Sequence, residues 1–183
     1  MKKYPTINDV NEMQARGFDP SVLAEQLELA KRGEALEGLM AEAHEAFAGV
    51  TLGSGIGLLE ANGLDDYANE QKLAEYRAND EKLDWRSIPL ERLNRYSSSL
   101  SFFDAEGMRF HLPAFLVADM QGLYGFDLIY NLVQSTLIEG QCALLTKKQR
   151  AVVRRYLEFA AKEEEFERDH DHIRRALENY WAE

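Results

Sequence analysis

The sequence predicts a mainly α-helical domain (α+β) with one small antiparallel β-hairpin and a long C-terminal helix. Three observations support this prediction. Apolar residues recur at helical spacing through most of the chain. Between residues 100 and 112 they alternate with a period of two, which is typical of strands. Residues 146–182 carry one long helical pattern. We therefore expect a single domain over residues 1–183, in which residues 1–40 form an N-terminal helical extension.

Composition excludes several classes of protein. The chain has 183 residues, 45% of them hydrophobic, and a formal net charge of -11. This is enough for one domain with a sizeable core. Nucleic-acid binding needs clustered Lys and Arg. It is disfavoured here because the chain is acidic and its one dense basic stretch, residues 147–155, runs into a run of glutamates. No apolar run is long enough to cross a bilayer and no secretory signal is visible, so we expect a cytoplasmic protein. Cys142, the single cysteine, cannot form an internal disulfide.

The first half of the chain is predicted to be helical with one irregular stretch. A short helix is expected over residues 7–16. Asp19 and Pro20 then indicate the start of a helix that Gly33 ends, and a second helix is expected over residues 34–48. Residues 69–79 and the segment around Leu93 are predicted to be helical as well.

The glycine-rich stretch 49–68 is predicted to be a long loop. Loops of this length are often functional, so this one is a candidate ligand site. The alternative is a structured coil that packs Leu58, Leu59 and Leu64 onto the helices. Its segment 53–57 is a weak match to a phosphate-binding loop, because it follows a helix and no Lys-Ser/Thr pair succeeds it.

The hairpin is predicted from an alternating pattern around a turn. Its inner face holds Leu100, Phe102, Met108, Phe110 and Leu112. Gly107 suits the turn, and the proline that follows the second strand suits the start of the next helix. The opposite face is expected to present Ser101, Phe103, Arg109 and His111. A further helix is predicted over residues 126–138.

The C-terminal helix is predicted to begin at a capping box formed by Thr146 and Gln149. If it were unbroken to residue 182, with only a polar gap around Glu163, it would be roughly 55 Å long, more than a compact domain of this size covers. Its distal half therefore needs a partner, either the N-terminal helices or a second subunit. The candidate interface residues are Phe166, Ile173, Leu177 and Trp181.

No metal site and no cofactor are predicted. Glu167 and His170 form one E-x-x-H pair, but a di-metal site needs a second pair from a facing helix. A small-molecule site is the remaining candidate, formed by the glycine-rich loop, Trp85 and the outward hairpin face. There Arg109 would hold an anionic ligand, and His111 or Asp104 would transfer a proton. The alternative role for His111 is packing or hydrogen bonding.

Residues 100–115, together with Asp84, Trp85 and the segment 46–50, resemble a family of uncharacterised bacterial proteins classed as a domain of unknown function. The resemblance covers about residues 41–160 and leaves the first forty residues and the extended final helix outside. It implies a bacterial cytoplasmic origin. It implies no activity, cofactor or catalytic residue.

Two functional hypotheses follow. The preferred one is a non-catalytic interaction or regulatory protein, with immunity-like roles included, that works through a protein partner or a homo-oligomer such as a dimer. It rests on the overlong helix and on the lack of a catalytic constellation in the sequence. The alternative is a small-molecule enzyme or binder that uses the 49–68 loop and the hairpin face.

Overall fold

The computed structural model describes residues 4–134 and 136–182, and the regular structure of these residues is helical. Three 3₁₀ segments, Trp85–Ser87, Ser97–Ser101 and Glu164–Asp169, connect longer elements. The α-helices are α1 (Ile7–Ala15), α2 (Pro20–Ala46), α3 (Leu58–Asp65), α4 (Glu70–Asn79), α5 (Leu90–Arg95), α6 (Ala105–Met120), α7 (Leu128–Val133), α8 (Ile138–Gln141), α9 (Lys147–Ala160) and α10 (His170–Glu178).

Helix α6 lies at the centre of the molecule. It packs against α2, α5, α7, α8 and the 3₁₀ turn at Trp85. Helix α2 also packs along α9, while α3 and α4 pair with each other beside the 3₁₀ segment Ser97–Ser101. The two ends of α6 face different surroundings. Its first turn lies beside the glycine-rich segment, and its last turn lies near the end of α9 and the bend before α10.

The predicted β-hairpin is wrong, since the described residues contain no strand. The segment forms a 3₁₀ turn followed by α6. Eleven of the residues of α6 are buried, and they cover nearly its whole circumference. A helix that is apolar all round has no amphipathic stripe, so an accidental alternation over a few positions imitates a strand. Phe103 and His111, predicted to face outward, are buried.

Gly107 serves close packing and not a hairpin turn. A Cβ atom at this position would lie 2.3 Å from the carbonyl oxygen of Ile56. The glycine-rich segment therefore rests directly on the first turn of α6. Pro113 lies inside α6, buried, where the sequence predicted a strand end.

Helix α2 begins at the predicted cap, with Asp19 accepting a hydrogen bond from the Ser21 amide, but it does not end at Gly33. It runs without a break to Ala46. Gly33 allows the N-terminal segment to approach, because a Cβ atom there would lie 2.7 Å from the Cβ of Tyr4. Glycine ended the helix in the prediction, whereas in the fold it makes room for a neighbouring side chain.

Part of the stretch 49–68 is regular, because it contains α3. The Asp80 carboxylate accepts hydrogen bonds from the amides of Leu59 and Glu60, at 2.7 and 3.1 Å, and so caps the start of α3. Leu58 and Leu52 are buried in the core. The stretch packs onto the core, as the alternative interpretation expected, but neither interpretation predicted the helix α3, and Leu59 and Leu64 are only half-buried.

The predicted long C-terminal helix is wrong in its continuity. Its capping box at Thr146 and Gln149 is confirmed, but α9 ends at Ala160 and the chain turns back. Arg150, near the start of α9, donates a hydrogen bond to the Tyr180 hydroxyl at 2.9 Å, so α10 lies antiparallel to α9. A contact between two residues stabilises the bend: the Glu163 carbonyl oxygen lies 3.0 Å from His170 Nε2. No helix in the described part of the chain is long and apolar enough to span a membrane.

Candidate functional site

Asp104 is a helix cap. Its Oδ1 accepts hydrogen bonds from the amide of Gly107 at 2.7 Å and from that of Ile56 at 3.1 Å. The carboxylate thus joins the glycine-rich segment to the start of α6, which is the ordinary role of aspartate at an N-cap. The fold thus uses Asp104 Oδ1 as a hydrogen-bond acceptor.

His111 is sealed in the core. Its ring stacks on Phe103 with the centroids 4.4 Å apart, and its Nδ1 lies 2.8 Å from the carbonyl oxygen of Gly107. A carbonyl only accepts, so Nδ1 carries the proton of the neutral ring. Burial lowers the pKa of His111 to about 4. The cavity beside it has a volume of about 10 Å³, too little for a ligand. The packing alternative is the one that this environment favours.

Trp85 and Arg109 do not join His111 in a common site. The Trp85 indole is buried, donates to the carbonyl oxygen of Phe47 at 3.1 Å and stacks on His44. It borders a shallow cleft of about 280 Å³. The Nε of Arg109 is buried without a hydrogen-bond partner among the described residues, and Arg109 lines neither the cleft beside Trp85 nor the small cavity beside His111. The structure therefore does not bring the four predicted binding residues together.

The predicted interface residues divide into two pairs. Ile173 and Trp181 are buried within their own chain, and the Trp181 indole donates to the carbonyl oxygen of Leu132 at 3.0 Å. These two side chains are used within the chain, where α10 and the residue Trp181 after it pack against α9 and α7, and they do not need a second subunit. Phe166 and Leu177 are only partly buried. A role for these two in assembly stays a prediction.

A larger cleft lies at the other end of α6, and sequence reasoning did not find it. Its volume is about 540 Å³, within the range of small-molecule pockets. The end of α6, the turn after it, the end of α9 and the bend before α10 form its sides. Six aromatic residues line it: Tyr4, Tyr124, Phe126, Tyr156, Phe159 and Phe166. We call it the aromatic cleft.

Asp119 supplies a carboxylate on the α6 side of the aromatic cleft. The hydroxyl of Tyr156, a buried residue of α9, donates a hydrogen bond to its Oδ2. Burial raises the pKa of Asp119 to about 6, against the lowering effect of the Tyr156 bond, and the charges of Glu165 and Asp127 raise it further. The same surroundings raise the pKa values of Tyr124 and Tyr156. Asp119 is therefore mostly ionised at neutral pH, in a place that resists its charge.

Two more carboxylates line the aromatic cleft at the bend after α9. Glu163 is buried, and Arg32 on α2 lies behind it, with 3.5 Å between Arg32 Nε and Glu163 Oε1. Glu165 is exposed at the rim. Among the residues that the structure describes, the lining contains these three acids and no Lys, Arg or His. The cleft combines apolar ring surface with charge of one sign.

One wall of the aromatic cleft depends on a glycine. Tyr4 reaches the cleft by crossing α2 at Gly33, where there is no side chain to push it away. The rings of Tyr124 and Phe126, also in the lining, lie with their centroids 5.8 Å apart. Residues separated by more than 150 positions along the chain thus form one lining.

A metal ion does not suit these carboxylates as they stand. Among the described residues, no group of three His, Cys, Asp or Glu converges closely enough to hold one. Glu167 and His170, the single E-x-x-H pair, lie on the 3₁₀ segment and at the start of α10, and His170 is directed to the Glu163 carbonyl oxygen.

The sequence did carry one signal for the aromatic cleft. Asp119 is a lone acid at the end of the apolar run 114–118, which is an unusual place for a charge.

Comparison with known proteins supplies a family. Residues 35–183 match the model of a family described as a family of unknown function, DUF6714. The chain belongs to this family. The predicted resemblance to an uncharacterised domain family is confirmed, and the DUF6714 match extends beyond residues 41–160 on both sides, so that it also includes α10. No curated protein and no solved structure matches the chain.

Proposed function

We propose that this DUF6714 protein acts by binding and that the aromatic cleft receives its ligand. The observation that carries the proposal is the Asp119 carboxylate, held by Tyr156 at the edge of a cavity of about 540 Å³. Folding places an ionisable group in surroundings that raise its pKa, at a cost in stability. Such groups are concentrated at functional sites. Asp119 has room beside it for a ligand, which His111 does not.

The shape of the lining also supports binding. Apolar pockets with a few placed polar groups are the usual form of small-molecule sites. Here six aromatic side chains supply apolar wall, and Asp119 with Tyr156 supplies a fixed polar pair. The ligand is either a small molecule or a side chain of a protein partner, and the second case keeps the preferred interaction hypothesis.

A matched pair of aromatic substitutions tests the proposal. Phe126 lines the aromatic cleft and is 54% exposed, while Tyr130, four residues later on α7, is 52% exposed and lies outside the lining. Because both side chains are half exposed, replacing either with alanine should leave the fold intact. In a thermal-shift screen of small molecules, we expect compounds that stabilise the wild type to stabilise Tyr130→Ala equally and Phe126→Ala much less. Compounds that stabilise the wild type and both variants equally would show that they bind elsewhere.

Acid–base catalysis is the second candidate function, and the pKa of about 6 at Asp119 favours it, because general acids and bases work best near the operating pH. Incubation of each bound compound with the protein separates the two functions. An enzyme would convert the compound, and Asp119→Asn would stop the conversion. Recovery of unchanged compound supports binding alone.

The assembly state and the compartment are part of the proposal. A partner or a second copy of the chain would use Phe166 and Leu177, which lie partly exposed near the bend and on α10. Light scattering on the wild type and on Leu177→Asp tests self-association, since a dimer built on this surface should dissociate. Fractionation of expressing bacterial cells tests the expected cytoplasmic location.

A further inference from the structure

The charge of the aromatic cleft limits what it can hold. Within residues 4–134 and 136–182, its lining has three carboxylates, from Asp119, Glu163 and Glu165, and no basic side chain. Arg32 compensates Glu163 from behind at 3.5 Å, and Tyr156 donates to Asp119. Neither contact puts positive charge into the cavity itself. An anionic ligand would meet repulsion on two sides, whereas a cation would meet attraction.

The rings favour an organic cation over a metal ion. The six aromatic side chains offer ring faces and edges along the cavity, and ring faces attract ammonium groups. An organic ammonium also carries apolar carbon that these rings can cover. The carboxylates, by contrast, do not converge in the way that a metal ion requires. The feature is a cavity with room for a ligand and not only a cluster of acids.

Resting on the proposed binding function, we infer that the ligand of the aromatic cleft carries an organic ammonium group, which pairs with Asp119 while its apolar part lies against the rings. The same chemistry is found in a free amine and in the lysine side chain of a partner protein. Asp119 is the anchor because Tyr156 fixes its position, and Glu165 at the rim adds attraction that salt screens.

Three probes of nearly equal size test the charge preference: benzylammonium, benzyl alcohol and benzoate. Their affinities for the full-length protein are measured by titration near pH 7.5 at low salt. We expect benzylammonium to bind at least about tenfold more tightly than benzyl alcohol, and benzoate to bind most weakly. Equal affinities for the cation and the alcohol, or tighter binding of benzoate, would overturn the inference.

Three protein variants locate the effect. Asp119→Asn keeps the size and the bond from Tyr156, so it should remove most of the preference for benzylammonium and leave benzyl alcohol unchanged. Glu165→Gln should reduce the preference by a smaller factor. Glu164→Gln is its matched control, because Glu164 is also an exposed acid of the 3₁₀ segment but does not line the cleft. A preference for the cation that survives Asp119→Asn would refute the anchor.

Two longer probes separate the sources of the ammonium group. Pentylammonium represents a free amine, and Nα-acetyl-lysine methylamide represents a lysine within a partner protein. Tighter binding of the capped lysine indicates a protein partner, and tighter binding of pentylammonium indicates a free amine; either result supports the inference. The proposed binding function fails separately, if the small-molecule screen finds no stabiliser that depends on Phe126 and no probe of any charge binds.

Discussion

The two ends of helix α6 differ in how much space lies beside their polar groups. At the N-terminal end, Asp104 caps the helix and His111 stacks on Phe103, and the space beside His111 is about 10 Å³. At the C-terminal end, Asp119 borders a cleft of about 540 Å³. Burial is the largest cause of the pKa shift at both His111 and Asp119. A shifted pKa therefore indicates burial, and only room beside the group indicates a site.

The same comparison predicts opposite dependences of stability on pH. The pKa of His111 falls from 6.5 to about 4 on folding, so its neutral form stabilises the fold above pH 6.5, and that stability is lost as the pH falls towards 4. The pKa of Asp119 rises from 3.8 to about 6, so its contribution is best below 3.8 and is lost as the pH rises through 6. The two contributions oppose each other in one pH window.

The largest effect is expected from His111→Ala. It removes a stacked, hydrogen-bonded ring from a fully packed place, so the free energy of unfolding near pH 7 should fall by about 3 kcal/mol. The loss should be smaller near pH 4, where the wild type no longer benefits from a neutral imidazole. Denaturant unfolding at the two pH values measures this, with benzylammonium affinity as the control that should not change.

Asp119→Asn should change the free energy of unfolding in the opposite direction. It keeps an acceptor for the Tyr156 hydroxyl and removes a charge that burial opposes, so the free energy of unfolding near pH 7 should rise by about 2 kcal/mol. The gain should shrink towards zero near pH 4. The groups that share this environment are Tyr124, Tyr156, Asp127, Glu163 and Glu165, and they remain in both proteins. A variant less stable than the wild type at neutral pH would show that the carboxylate is structural.

Asp104→Ala tests whether the N-terminal end is only structural. Loss of the two bonds from the Gly107 and Ile56 amides should cost about 1–2 kcal/mol of stability. Asp104→Asn should restore most of it, because asparagine is an equally good cap. If the asparagine variant loses a binding or catalytic activity while its stability is restored, then Asp104 has a functional role that this structure does not predict.

A pair of glycines in α2 gives the smallest effect and tests the cleft wall. A Cβ atom at Gly38 meets nothing within 4 Å, so Gly38→Ala should add about 0.5–1 kcal/mol through helix propensity alone. Gly33→Ala has the same propensity gain but pushes against Tyr4, which should cancel the gain. Thermal unfolding and benzylammonium titration of both variants measure this. Weaker probe binding only in the Gly33 variant would confirm that Tyr4 forms the wall.

Prediction from sequence worked where the cause of a structure is local. The caps at Asp19 and Thr146 were read correctly because a side chain and an amide two or three residues away make the bond. It failed at α6, where burial on nearly all sides removed the periodic pattern on which the interpretation depends. It also failed at Gly33, since the reason for a glycine there is Tyr4, a residue distant in the chain.

The sequence by itself determined a mainly helical chain, its acidic charge, the main helix caps and membership of an uncharacterised family, because these depend on composition and on neighbours within a few residues. Only the tertiary structure decided which polar groups are enclosed by packing and which have space beside them for a ligand. His111 and Asp119 lie on one helix, and of the two the sequence pointed to His111 alone as a candidate site residue. The segments around Leu58 and Ile88 close the space beside His111, whereas the end of α9 and the bend at Glu163 leave a cleft beside Asp119. Contacts between segments this far apart in the chain cannot be inferred from local spacing.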